Sequence, residues 1–134
     1  MKQHVYAGFN LPLVSKQVTQ EVINKYAETS GDFNPLHVDP EFARSTPYKG
    51  TIAHGLLSLA YISEMMGSFF GEGWLCGGEM DVKFLAPVRP GDSITVQGIV
   101  KEIAEQDNTV VFCDVVCLNQ NKVKVVAGTT RAVL

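Results

Sequence analysis

A long apolar segment, Ile52 to Phe70, followed by strict two-residue alternation from Glu79 onward, constrains this chain more than any other feature. His54, Glu64 and several glycines and serines interrupt the segment, so it reads as a buried helix rather than a bilayer span. Leu56, Leu59, Ala60, Ile62, Ser63 and Met66 suit a helix buried over most of its surface, which therefore needs something to wrap it. Downstream, Met80, Val82 and Phe84 alternate with Glu79, Asp81 and Lys83, the grammar of a half-exposed strand. The stretch "PVRPGD" is a turn centred on Pro90 and Gly91. Three more strand-like runs follow, Ser93 to Ala104, Thr109 to Leu118 and Val123 to Leu134, joined by the polar turns "EQDN" and "NQNK". Helices first and an antiparallel meander after them make an α+β organisation, with the sheet as the wrapping.

The N-terminal half supplies the rest. Leu11 to Val14 is a candidate first strand. Thr19 reads as an N-cap, with Val22, Ile23, Tyr26 and Ala27 on one face of a helix that ends near Gly31. Asp39-Pro40 is a second start signal, with proline at the first helical position. Between these two helices lies "SGDFNPLH", Ser30 to His37, which gathers Asp32, Asn34 and His37 around Pro35.

Size and charge bound what such a chain can do. Its 134 residues suit one domain, 1–134, and 46% hydrophobic with 19% charged residues is globular composition. A net charge of −3 leaves no basic stripe to neutralise phosphates, so nucleic acid is not an expected partner, and no membrane span is expected either. The N-terminus "MKQHVYAGFN" lacks the layout of a secretory leader, which predicts a cytoplasmic protein. Three cysteines, Cys76, Cys113 and Cys117, form no disulfide framework and no zinc spacing. Cys113 and Cys117 share a strand face with Val111 and Val115, as core filler would.

A histidine is the side chain most easily poised as a base near neutral pH, and a nearby carboxylate can orient it or share the work. Pro35 fixes its own φ and pushes Asn34 towards an extended conformation, so the spacing between Asp32 and His37 is rigid. Asn34 can tie the turn to itself or hold a neighbour. On residues alone, a catalytic pair and two turn residues beside a surface histidine are both consistent. In "AHGLLS", Gly55 stands where the long helix begins, with free backbone N–H groups and the positive end of the helix dipole that suit an oxyanion. It also suits close packing at the helix entry, and His54 reads as a cap or a packed histidine. A metal held by Asp32, His37 and Asp39 is disfavoured, because Pro40 makes Asp39 a better helix cap than a ligand.

The stretch "YAETSGDFNPLHVDPEFA" resembles the signature of the (R)-specific enoyl-CoA hydratases and MaoC-like dehydratases. "IAHGLLSLAYIS" is similar to that family's central-helix entry, and "KFLAPVRPGDSI" to the strand and turn that follow it. The resemblance implies a single hot-dog fold, in which a curved antiparallel sheet wraps the long helix. It implies Asp32 and His37 as catalytic residues, the Gly55 amide as oxyanion donor, and Ser63 of the central helix with Asn34 among the oxyanion- or substrate-binding positions. It further implies a hydro-lyase of fatty acid metabolism acting on an enoyl-CoA or 3-hydroxyacyl-CoA, with no metal or organic cofactor, working as a homodimer. Two alternatives stay open: an acyl-CoA thioesterase on the same fold, or a non-catalytic acyl-CoA-binding subunit. Lys49, Lys83 and Arg89 are candidates for the CoA phosphates, and Phe69, Phe70 and Trp74 for an acyl tunnel, though none sits in a motif that singles it out.

Overall fold

The computed structural model describes residues 4–134, so the first three residues of the N-terminal stretch read for a leader lie outside the described residues. The capping signals read from sequence hold in space. Thr19 Oγ1 accepts the Val22 amide at 3.1 Å and starts helix α1, Gln20–Ser30, which stops at Gly31 in the left-handed region with φ 80°. Asp39 Oδ1 accepts the Glu41 and Phe42 amides at 3.1 and 3.2 Å and starts α3, Pro40–Arg44. Between them the loop makes one helical turn of its own, α2, Pro35–Val38, with Pro35 in its first turn. The long helix α4 runs Gly55–Phe70, and a short α5, Glu72–Leu75, follows it.

Five antiparallel strands form one sheet: β1 Val14–Gln17, β2 Glu79–Phe84, β3 Ser93–Ile103, β4 Val110–Leu118 and β5 Lys124–Val133. The expected first strand at Leu11 to Val14 begins later. Pro12 has no N–H for a ladder, so from Asn10 to Leu13 the chain makes only an Asn10–Ile99 bridge and the Leu11 amide bond to Gly98 O at 2.8 Å. The expected meander is also corrected. The sheet order is β1-β3-β4-β5-β2, so β3, β4 and β5 run as a meander while β2 crosses over to pair with β5 at the far edge. Alternation of side chains tells which residues form a strand, not which neighbour the strand takes.

Register aligns Val96, Cys117 and Val126 in one row and Val100, Cys113 and Thr130 in another, all buried. Against this face α4 sets Ile62, Met65 and Met66, at 0%, 2% and 0% exposure. Each such side chain contributes roughly 1.5–3 kcal/mol on burial. Gly98 on β3 admits the pair that packs there: a Cβ on it would meet Met65 Cε at 2.8 Å and Leu11 Cδ1 at 2.9 Å. The helix is less enclosed than its apolar sequence predicts. Leu56 is 59% exposed and Ala60 is exposed too, because a sheet laid on one side covers one stripe of the helix only. Among the described residues no helix is long and apolar enough to cross a membrane.

Candidate active site

The loop after α1 and the chain entering α4 are joined by hydrogen bonds that bring Asp32, His37 and Gly55 together. His37 Nδ1 lies 2.8 Å from Ile52 O; a carbonyl can only accept, so Nδ1 carries a proton, and in the neutral ring the lone pair is on Nε2. The backbone follows the same path, with the Ile52 amide on Leu36 O at 3.3 Å. His54 Nε2 lies 2.9 Å from Asp32 O and donates to it by the same reasoning. Gln20 completes the brace: its amide donates to His37 O at 2.8 Å and its Oε1 accepts from Thr51 Oγ1 at 2.6 Å.

Asp32 is exposed, its Oδ1 accepting the Asn34 amide at 3.1 Å in an Asx turn that fixes the carboxylate. Asn34 does the same one step on, its Oδ1 accepting the Leu36 amide at 3.0 Å. Asn34 therefore shapes the turn and does not line the cavity. Donor atoms of Asp32, His37 and His54 all lie within 4.8 Å of one another. Proximity alone does not make this a metal site. The His37 and His54 rings stack at 4.0 Å with only 28° between their planes, so their in-plane lone pairs run side by side instead of converging. One nitrogen of each ring is already engaged with a carbonyl. The arrangement suits hydrogen bonding and proton transfer.

A cavity of about 410 Å³ opens beside this pair, lined by His37, Tyr48, His54, Gly55, Ser58 and Phe84 among others. Its polar end is the start of α4. His54 holds the N-cap position without a side-chain cap, and its carbonyl takes the Leu57 amide at 3.1 Å. The Gly55 and Leu56 amides have no backbone acceptor among the described residues. Uncapped amides at a positive helix end form a ready site for a developing negative charge. Gly55 is needed for space as well: a Cβ there would meet the Phe84 ring, with Cε1 at 2.7 Å.

Of the positions expected from the sequence, the structure brings Asp32 to His37 and sets His37 and Gly55 on one cavity, whose lining does not itself include Asp32. It does not bring Ser63 to them within the chain, and Ser63 is not a cavity residue. Its Oγ accepts the Trp74 indole N–H at 2.9 Å, which explains the half-buried serine as a partner for a buried tryptophan. Phe69 packs on Phe9 at 5.5 Å and Phe70 packs on Phe69, outside the cavity, so these aromatics are core. Phe84, expected on the inner face with Met80 and Val82, is 58% exposed and covers the start of α4 instead. Sequence reasoning missed Gln20, Thr51 and Ser58. Only Ser58 left a usable signal, a polar residue one turn into an apolar helix.

The profile of the MaoC like domain family matches residues 11–121. An (R)-specific enoyl-CoA hydratase of Rhodospirillum rubrum is 33% identical over 99 residues, 74% of this chain and 69% of that protein. One from Aeromonas caviae is 34% identical over 93 residues, 69% of each chain. The solved structure of an (R)-hydratase from A. caviae involved in PHA biosynthesis superposes with a TM-score of 0.85 at 28% identity, covering 98% of both chains. The architecture is the hot-dog fold, and the chain belongs to the MaoC-like domain family.

Proposed function

We propose that the chain is one hot-dog domain over residues 1–134 that catalyses syn hydration of trans-2-enoyl-CoA to (3R)-hydroxyacyl-CoA, and the reverse dehydration. The observation that carries this reading is the meeting of the Asp32 carboxylate and the His37 ring within 4.8 Å, beside a cavity whose polar end is an uncapped helix start. The thioester oxygen sits at the Gly55 amide, which draws electron density from the conjugated alkene and leaves C3 electrophilic. Asp32 and His37 Nε2 hold a water over C3. Its oxygen bonds to C3 as the alkene electrons move towards C2 and the thioester oxygen. The proton that the water loses passes to the pair and from it to C2, so the hydroxyl on C3 and the hydrogen on C2 arrive on one face. The thioester itself activates the alkene, and the step balances without any further reactant.

The working unit in this reading is a homodimer. Leu56, Phe84 and Leu85, at 59%, 58% and 53% exposure, cluster around the start of α4 and the cavity. An apolar group of that kind at a site's rim is suited to a second copy of the chain. Light scattering on the purified protein reads this directly, and a monomeric mass at micromolar concentration would overturn it.

The activity test uses crotonyl-CoA. Hydration removes the enoyl absorbance and yields (3R)-3-hydroxybutyryl-CoA with no free thiol. Thiol release without the hydroxyacyl product identifies a thioesterase and overturns the proposal.

A further inference from the structure

His54 is 3% exposed, yet its Nδ1 has no hydrogen-bond partner, the one such buried side-chain atom among the described residues. A buried lone pair without a donor is a standing cost, and a histidine that served only as filler would be better replaced by an apolar ring. What the rest of the ring does accounts for its presence. Nε2 donates to Asp32 O at 2.9 Å, and one face lies on the His37 ring at 4.0 Å and 28°. Tyr26 of α1 packs against the ring at 4.8 Å and 57°, so His54 cannot swing away. The first two of these contacts each reach one member of the proton-transfer pair, and the third holds the ring in place.

The geometry points to His54 as a positioning residue that sets Asp32 and His37 relative to the Gly55 amide, an inference that rests on the hydration reading. His54 occupies the N-cap of α4, adjacent to the amide that would polarise the thioester. Its N–H ties the Asp32 peptide to that point, and its flat face fixes the plane in which His37 Nε2 presents its lone pair. The role requires a planar ring and an N–H at the far end of the side chain. Phenylalanine supplies only the ring, and glutamine only the donor. The hydrogen bond reaches the segment that carries the carboxylate, so the donor is the larger part of the role.

The test compares His54→Phe with His54→Gln in the full chain, using crotonyl-CoA hydration, thermal unfolding and the ¹⁵N shifts of the His37 ring. His54→Phe keeps its Tm within a few degrees, because relief of the unpartnered Nδ1 offsets the lost bond to Asp32 O. Its kcat falls by at least about tenfold while KM changes by less than about twofold, since the reacting groups are misplaced and the cavity is not. His54→Gln recovers most of that loss. Ile52 O holds the His37 Nδ1 proton in all three proteins, so the ring shifts of His54→Phe, which keeps the stacked face, match wild type, and those of His54→Gln, which loses it, move. A Phe variant with wild-type kcat, a Gln variant no better than Phe, or a joint fall of kcat, KM and Tm overturns the inference. Wild-type protein without hydratase activity refutes the hydration reading instead, and the ring shifts then decide the positioning role alone.

Discussion

Replacing Gly55 by proline deletes the N–H to which the oxyanion role is assigned and keeps the backbone of the helix start. Gly55 is the first residue of α4, where an N–H has no intrahelical partner and proline is well tolerated. The preceding residue must avoid the helical region before a proline, and His54 already does so, with φ −60° and ψ 135°. The fold is therefore prepared for the substitution. Fixing φ also lowers the entropy of the unfolded chain, a gain of about 0.4–1 kcal/mol where the geometry fits.

One side effect needs its own control. Any Cβ at position 55 meets Phe84 Cε1 at 2.7 Å and Cζ at 3.0 Å. That ring is 58% exposed and can turn outwards, but it borders the cavity, so its movement can slow the reaction by itself. Gly55→Ala carries the same Cβ and keeps the N–H. The informative quantity is the ratio of the two variants. Loss of one oxyanion donor costs about 10²–10³ in kcat, or roughly 2.7–4 kcal/mol. We expect Gly55→Pro to hydrate crotonyl-CoA about 10²–10³-fold more slowly than Gly55→Ala, with Tm values within about 4 °C of each other. Initial rates of enoyl absorbance loss and a thermal melt on each variant suffice. A proline variant within a few-fold of the alanine variant, at matched Tm, would refute the assignment of the amide.

Asp32→Asn keeps the oxygen that accepts the Asn34 amide, and His37→Ala removes a half-exposed ring, so both should fold while kcat drops by about 10²–10⁴; activity and binding near wild type would show the pair to be turn residues. Burial pushes the Cys113 and Cys117 thiols up to about 11 and about 12, so at pH 8 both stay protonated. A thiol reagent should therefore titrate only exposed Cys76 in the native protein and all three cysteines in guanidinium, and fast labelling of a second native thiol would contradict the buried placement. Gly128→Ala drives a Cβ into Asp81 O, a backbone atom that cannot move without lifting β2 from β5. It should cost about 3 kcal/mol, read as a lower urea midpoint, and an unchanged midpoint would mean the edge strand sits further out.

Much of the fold was legible because its signals are local. Thr19, Gly31 and Asp39 mark helix ends through hydrogen bonds to their own neighbours, and the alternation from Glu79 onward needs no partner to be read. What failed was non-local. Nothing within "EMDVKF" says that β2 pairs with β5 at the far edge, since a strand's ladder is made of backbone groups common to every residue. The partner of Ser63 was illegible for the same kind of reason: a serine in an apolar helix shows nothing of the indole of Trp74, eleven residues on, that donates to it.

The site shows why a motif of the acid–histidine type does not suffice by itself. The residues from Asp32 to His37 carry the reacting groups, but their placement against the Gly55 amide rests on bonds to residues 51–54 and to Gln20. In three of these bonds a side chain meets a backbone carbonyl: His37 on Ile52 O, His54 on Asp32 O and Gln20 on His37 O. A carbonyl accepts whatever its residue, so a sequence records the donors of such a brace and never its acceptors. That asymmetry explains why His37 could be singled out while the brace that aims it could not. It also predicts where the site is fragile: substitutions at Asp32 or Ile52 that keep the backbone leave the brace intact, whereas loss of the donors at His37, Gln20 or His54 loosens it.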